Sequence, residues 1–417
     1  MAMPKKLRRR NKSVFHKRNT RPLKILGWCA AGALAVCSGV LVANWAMTDR
    51  PFTPAPASSQ PSSESELPDS SVLSPPSPES AEPNPSLPGD GTAKSLRAMV
   101  IDTALLSDTA ALDSLLEQAA AAGLNGVVFD LKDSRGCLLY LSETEQGPAV
   151  LRTQASRFSV NPTLSMDDLR AAAAHLKDKG FLAVPRLYAF KDQVAPYALA
   201  SVKIGVEGSP STVWHDTAVN KGGVPWMNPC STESHRYMAA LLGELKDAGF
   251  PLVLLDGVQF PNQEYSVDYG TSELASLSHG QVLSRFVSSM KDVLGDGLIV
   301  SMPALAATGD ATKPFGDNPL VLGAPHAAPL VYASQFSGSL TLGGETIGNP
   351  TAAPYETVRR LLEQLKLRTQ LIDAAKQPTL LPVIGSGEEA RTVKEVLGAS
   401  SPFIYFPASG QADFSGF

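Results

Sequence analysis

Residues 251–261 read PLVLLDGVQFP, an apolar run that stops at a carboxylate, Asp256, and passes into a short loop carrying Gln259 and Phe260. Unbroken apolar character from Leu252 to Leu255 is the mark of a parallel strand covered on both faces. On sheets of that kind, ligands sit at the carboxyl ends of the strands, so Asp256 stands where chemistry is done. The competing reading is that Asp256 only caps the turn that follows it.

Outward from this strand, the chain from Leu96 onward alternates short apolar runs with longer amphipathic ones. Eight strands are expected: Arg97–Ile101, Gly126–Leu131, Phe181–Leu187, Leu252–Val258, Gly297–Met302, Pro329–Ala333, Thr379–Ile384 and Pro402–Phe406. Helix periodicity falls between them at Thr109–Ala122, Ser165–Lys179, Thr232–Ala248, His279–Leu294, Tyr355–Ala375 and Glu388–Leu397. Gly123, Gly180, Gly249 and Gly295 stand just past four of these as terminators. No helix is expected over Pro303–Ala328 or after the eighth strand. Eight strands with helical crossovers in some 320 residues predict an α/β fold, a (β/α)8 TIM-type barrel. A doubly wound open sheet is the alternative. The first strand runs into MVIDTALLSD with no glycine-rich phosphate loop, so no nucleotide cofactor is expected.

The remainder of the chain has a different character. Residues 1–24 carry ten Lys or Arg and no acid, and residues 25–47 carry no charge over 23 positions. That length crosses a hydrocarbon core of about 30 Å, and the basic flank keeps the amino end in the cytoplasm. Residues 48–94 hold the prolines, serines and scattered acids of a disordered stalk. The expected division is therefore a cytoplasmic tail (1–24), a transmembrane signal anchor (25–47), a Pro/Ser-rich linker (48–94) and an extracellular barrel (95–417) at the cell membrane. The net charge of the whole is −4; the first 50 residues hold +10 and residues 51–93 hold −6, which leaves −8 on the rest. An acidic outer domain argues against nucleic acid as a partner. Cys137 and Cys230 both follow expected strands, and an oxidising compartment would permit a bridge between them.

The expected strand ends are rich in polar groups. The first ends in Asp102, the second in FDLKDSRG with Asp130, Lys132, Asp133 and Arg135, and the third in PRLYAFKD with Arg186, Tyr188, Lys191 and Asp192. The segment before the fourth strand brings Trp214, Asp216, Trp226 and Asn228, and the fourth brings Asp256 and Gln259, with Glu264 and Asp268 beyond. Paired carboxylates are what glycoside hydrolysis needs, one ionised and one holding a proton. Aromatic rings supply flat faces for sugars, and amide or guanidinium groups bind hydroxyls. The catalytic candidates are Asp256, Asp130 and Asp133; the substrate-binding candidates are Arg186, Tyr188, Asp192, Trp214, Asp216, Trp226, Asn228 and Gln259. The competing reading pairs these carboxylates with Arg186, Lys132 and Lys191 as salt bridges and buries the tryptophans. Asp130, Asp133 and Asp256 could hold a hard cation, but no His or Cys cluster accompanies them, so no metal is expected.

The strings VVFDLKDSRG (127–136), VPRLYAFKD (184–192), WHD (214–216) followed by WMNP (226–229), and LLDGVQFP (254–261) resemble, in order and spacing, the putative glycosyl hydrolase family of TIM-type barrels. The resemblance covers residues 96–265 well and continues weakly to about 360. It implies a barrel acting on or binding polysaccharide at a bacterial cell envelope. Departures gather in the second half. Where the family writes FDYVRFP, this chain has Gly257 and Gln259 in place of the aromatic and the arginine. The fifth strand ends in Ser301, Met302 and Pro303 where the family ends in a serine, alanine, aspartate pattern. The sixth has Tyr332 followed by Ala333–Phe336, with Gln335 where the family has histidine, and the family's tryptophan-rich seventh motif is absent from LLPVIGSG. Two functions therefore compete: a membrane-anchored hydrolase acting on envelope glycan, and a degenerate barrel that binds wall glycan or a protein partner without cleaving.

Overall fold

The computed structural model describes residues 93–262, 264–407 and 412–417. The expected tail, span and stalk lie outside these residues. No helix among the described residues is long and apolar enough to cross a membrane.

Eight parallel strands close into a barrel. They are β1 (Arg97–Val100), β2 (Gly126–Lys132), β3 (Leu182–Tyr188), β4 (Val253–Asp256), β5 (Leu298–Pro303), β6 (His326–Leu330), β7 (Thr379–Leu380 and Val383–Ile384) and β8 (Phe403–Tyr405). Each pairs with its successor, and β8 returns to β1 through Arg97↔Phe403 and Ala98↔Ile404. Closure removes the open edges that a doubly wound sheet would keep. The sixth strand begins three residues earlier than its apolar run suggests: His326 pairs with Ile299 and the strand is over by Leu330. The seventh is split by Leu381 and Pro382, and a proline supplies no N–H to the ladder.

The strand interiors are buried on both sides, as in Val127, Val128 and Phe129 of β2, which are wholly inaccessible. Seven helices pack around them: α1 (Thr109–Ala121), α2 (Gly147–Phe158), α3 (Met166–Asp178), α4 (Thr232–Asp247), α5 (His279–Leu294), α6 (Pro354–Gln370) and α7 (Gly387–Leu397). Helix α2 was not expected from the sequence. Its residues GPAVLRTQASRF bury only Gly147, Val150 and Gln154, so its apolar stripe is thin. Its anchor is polar: the buried Gln154 side chain accepts from Leu138 N–H and donates to Leu138 C=O, both at 2.8 Å. Between β5 and β6 there is one turn of helix, Ala304–Thr308, and short 3-10 turns; none of the described residues beyond β8 is helical.

Two features shape the carboxyl face. The strands Ser209–Val213, Gly205–Val206 and Val267–Asp268 form a small antiparallel sheet from the segments that follow β3 and β4. In the β2–β3 ladder, Asp130 lies opposite Arg186 but Lys132 lies opposite Leu187, a bulge at Leu131. Bulges re-aim side chains near sites. Here Asp130 meets Arg186 while Lys132 is sent elsewhere.

Candidate functional site

The strand ends deliver their polar groups unequally. Asp130, at the end of β2, takes Arg186 of β3 in a two-pronged pair, Nε to Oδ1 at 2.5 Å and Nη2 to Oδ2 at 3.0 Å. The Arg186 guanidinium lies 5.5 Å from the centre of the Tyr188 ring. Asp256 ends β4 with a partly open carboxylate whose Oδ1 accepts the Gly257 N–H at 2.6 Å. The capping reading of Asp256 is thus true, and it leaves Oδ2 for other work. Gly257 has φ +62°, a left-handed conformation that disfavours the aromatic side chain found there in the family pattern.

Around Asp256 the charges converge. Burial raises its carboxyl above the usual range, opposed by Arg186, the Gly257 N–H and Lys191, and reinforced by the Asp130 charge. Tyr188 is almost wholly buried, and burial pushes its phenol up. Tyr332, just beyond β6, is 6% exposed; burial, with the Asp256 charge adding, takes its phenol to about 12. Asp130, Arg186, Tyr188, Lys191, Asp256 and Tyr332 are therefore one electrostatic unit at the ends of β2, β3, β4 and β6.

Several expected site residues have other employment. Asp192 is fully buried, with Oδ2 2.8 Å from Lys132 Nζ and Oδ1 accepting Val194 and Ala195 N–H at 2.7 Å each. No surface remains for substrate. Asp133 holds a turn: its carboxylate accepts from the Arg135 side chain and from the N–H groups of Arg135 and Cys137, at 2.7 to 2.9 Å. Trp214 is 1% exposed and Trp226 6%, so neither offers an open face. Trp214 Nε1 donates to Tyr265 C=O at 2.7 Å. Trp226 Nε1 donates to Asp216 Oδ2 at 3.1 Å, and Asp216 Oδ1 accepts Val224 N–H. Asn228 is buried, its amide group serving Lys203 C=O, Tyr269 C=O and Cys230 N–H. Trp214, Asp216, Trp226 and Asn228 thus knit the segment between β3 and α4 together. Asp102 likewise caps a 3-10 turn through Ala104 N–H. Gln259 is half-buried just past Asp256. For Asp130 and Asp192 the salt-bridge reading is the observed one.

Cys137 and Cys230 are both buried and free, which corrects the expected bridge. No group of three or more His, Cys, Asp or Glu among the described residues could hold a metal. Two cavities of about 370 and 360 Å³ lie elsewhere, one beside the start of α5 and one between Lys203, Asn228, Tyr269 and Ser272.

One buried acid escaped the sequence. Glu389, on the first turn of α7, is 3% exposed and receives Ala333 N–H at 2.8 Å and Gly385 N–H at 2.5 Å. In the string GEEART it looks like an ordinary acidic first turn, favourable to the helix dipole, and carries no local sign of its burial.

No curated protein matches the chain in sequence. By shape it is similar to a hypothetical protein of Ruminiclostridium thermocellum (18% identity, 48% of this chain and 96% of that one, TM-score 0.39). It is also similar to an exo β-N-acetylglucosaminidase of Vibrio harveyi (12% identity, TM-score 0.41), covering 70% of this chain but only 41% of that enzyme. A third likeness is to the pneumococcal virulence factor StrH (10% identity, 78% and 82% covered, TM-score 0.44). Residues 98–384 match one family in sequence, and the chain belongs to it: the family described as "Putative glycosyl hydrolase domain".

Proposed function

We propose that residues 95–417 act on envelope or extracellular polysaccharide, held outside the cell membrane by a span at 25–47 and a stalk at 48–94. The observation that carries this reading is the buried, raised carboxyl of Asp256 beside the Asp130–Arg186 pair at the carboxyl face of a closed barrel. A carboxyl kept protonated near neutral pH can donate to a glycosidic oxygen, a step that supplies about 10²- to 10⁴-fold in rate. Arg186 and Lys191 place positive charge where a leaving oxygen or an acidic substituent would bind. Asp130, across from Arg186, is the nearest candidate for the second carboxylate.

A second reading, glycan binding without cleavage, is favoured by two features. Both Asp130 oxygens are engaged by Arg186, and β5 ends in Ser301, Met302 and Pro303 with no acid. The deciding experiment compares reducing-end release from bacterial wall glycans and soluble polysaccharides by the full chain and by Asp256→Asn. Release by the parent and none by a folded variant establishes a glycosidase centred on Asp256. No release by either, with binding of wall glycan retained, establishes the binding module.

A further inference from the structure

Glu389 is a buried carboxylate that no cation faces; the one charge acting on it is the like charge of its neighbour Glu388. Such a group is costly unless its oxygens are hydrogen-bonded, and here both are spent on main-chain N–H groups. The two donors belong to different loops. Ala333 follows β6 and Gly385 follows β7, so Glu389 staples the two loops together at the carboxyl face. Tyr332 is the residue immediately before the first donor. The Gln335 side chain fixes the same loop by donating to Leu330 C=O at 2.7 Å and Tyr332 C=O at 3.0 Å. The Tyr332 ring lies 5.9 Å from that of Phe406, and a Cβ on Gly385 would stand 3.2 Å from Tyr332 Cβ and 3.4 Å from a Glu389 oxygen. Tyr332 is thereby pressed from the β7 and β8 sides toward Asp256 and Arg186.

We propose that Glu389 is a positioning residue of the Asp256 site: by stapling the β6 and β7 loops it holds the Tyr332 ring over Asp256, where the ring excludes water and the phenol donates to a bound substrate oxygen. This rests on the reading of Asp256 as the working carboxyl. The charged and titratable groups facing the pair are Arg186 and Lys191 from the β3 end, Asp130 from β2, Tyr188 from β3 and Glu389 from α7.

The test is a carbon-13 NMR titration of the Asp256 carboxyl in the full-length chain, with amide exchange at Ala333 and Gly385 as the local check. Glu389→Gln removes one acceptor and is expected to cost those amides about tenfold in exchange protection. Loosening the ring admits water, so the Asp256 midpoint falls by about half a unit or more toward its ordinary value. Tyr332→Ala gives the same fall without touching the staple, whereas Tyr332→Phe, which keeps the ring, leaves the midpoint in place and lowers glycan release at least tenfold. An unmoved midpoint in Tyr332→Ala overturns the proposal. So does a folded Glu389→Gln that loses protection at Ala333 and Gly385 yet leaves Asp256 unmoved, which would reduce Glu389 to a staple alone. Absence of glycan release from the parent would refute the proposed function, while the midpoints would still judge this inference.

Discussion

Replacing Lys132 with methionine tests the buried ion pair beneath the candidate site. Lys132 and Asp192 have no accessible side-chain surface, and their charged atoms stand 2.8 Å apart. Lys132 Nζ also donates to Tyr188 C=O at 2.5 Å and Ala189 C=O at 3.3 Å, which uses all three of its protons. Methionine fills a similar volume but leaves the Asp192 carboxylate buried without its cation and two carbonyls without a donor. Breaking a buried pair in this way costs about 3 to 5 kcal/mol. At roughly 2 °C per kcal/mol for a domain of this size, the melting temperature should fall by about 6 to 10 °C. Asp192→Asn keeps an acceptor for Val194 and Ala195, so the double variant Lys132→Met/Asp192→Asn should lose less than the sum of the singles, by about 1 to 3 kcal/mol. The assay is urea unfolding of the full chain followed by tryptophan fluorescence, in which Trp214 and Trp226 report on the barrel. A loss below about 1 kcal/mol for Lys132→Met, or strict additivity in the double variant, would refute the reasoning.

Three further outcomes are expected. Asp256→Asn should stabilise the fold at neutral pH: a carboxyl raised in the folded state opposes folding once it is ionised. That gain is full above the folded-state pKa and vanishes below the ordinary carboxylate value of about 4, so stability curves for parent and variant should converge in acid. Gly136→Ala should destabilise by about 2 kcal/mol or more in the same urea assay, from strain and overpacking. Gly136 has φ +86°, and an added Cβ would stand 2.1 Å from Asp192 Oδ1, against the buried pair. Finally, burial pushes the Cys137 and Cys230 thiols up to about 12, so a disulfide reagent should label them slowly in the native chain and rapidly in denaturant.

The architecture was legible because each strand is a short apolar run and each helix carries its own periodicity and stop. The β4 run of Leu252–Leu255 and its terminal Asp256 are local facts, and the expected spans of α1, α3, α4, α5 and α7 agree with the observed ones to within a residue or so at each end. The start of β6 at His326 was not legible. Ala327, Ala328 and Pro329 have weak strand character, and their extended form is imposed by the ladder to β5. At the site, the polar strand ends could be enumerated but not sorted.

What the sequence determined by itself is the eightfold alternation, the position of Asp256 at a strand end and the chain's family. Those depend on spacing, composition and order, which a chain carries whether folded or not. Only the tertiary structure decided that Asp130 goes to Arg186 and Lys132 to Asp192, since both choices hang on one bulge and on partners 56 to 60 residues away. It alone buried Trp214 and Trp226 and brought Glu389 beneath Tyr332. A side chain's charge, exposure and partner belong to its three-dimensional surroundings, and the energies that set them act between elements that local pattern cannot bring together.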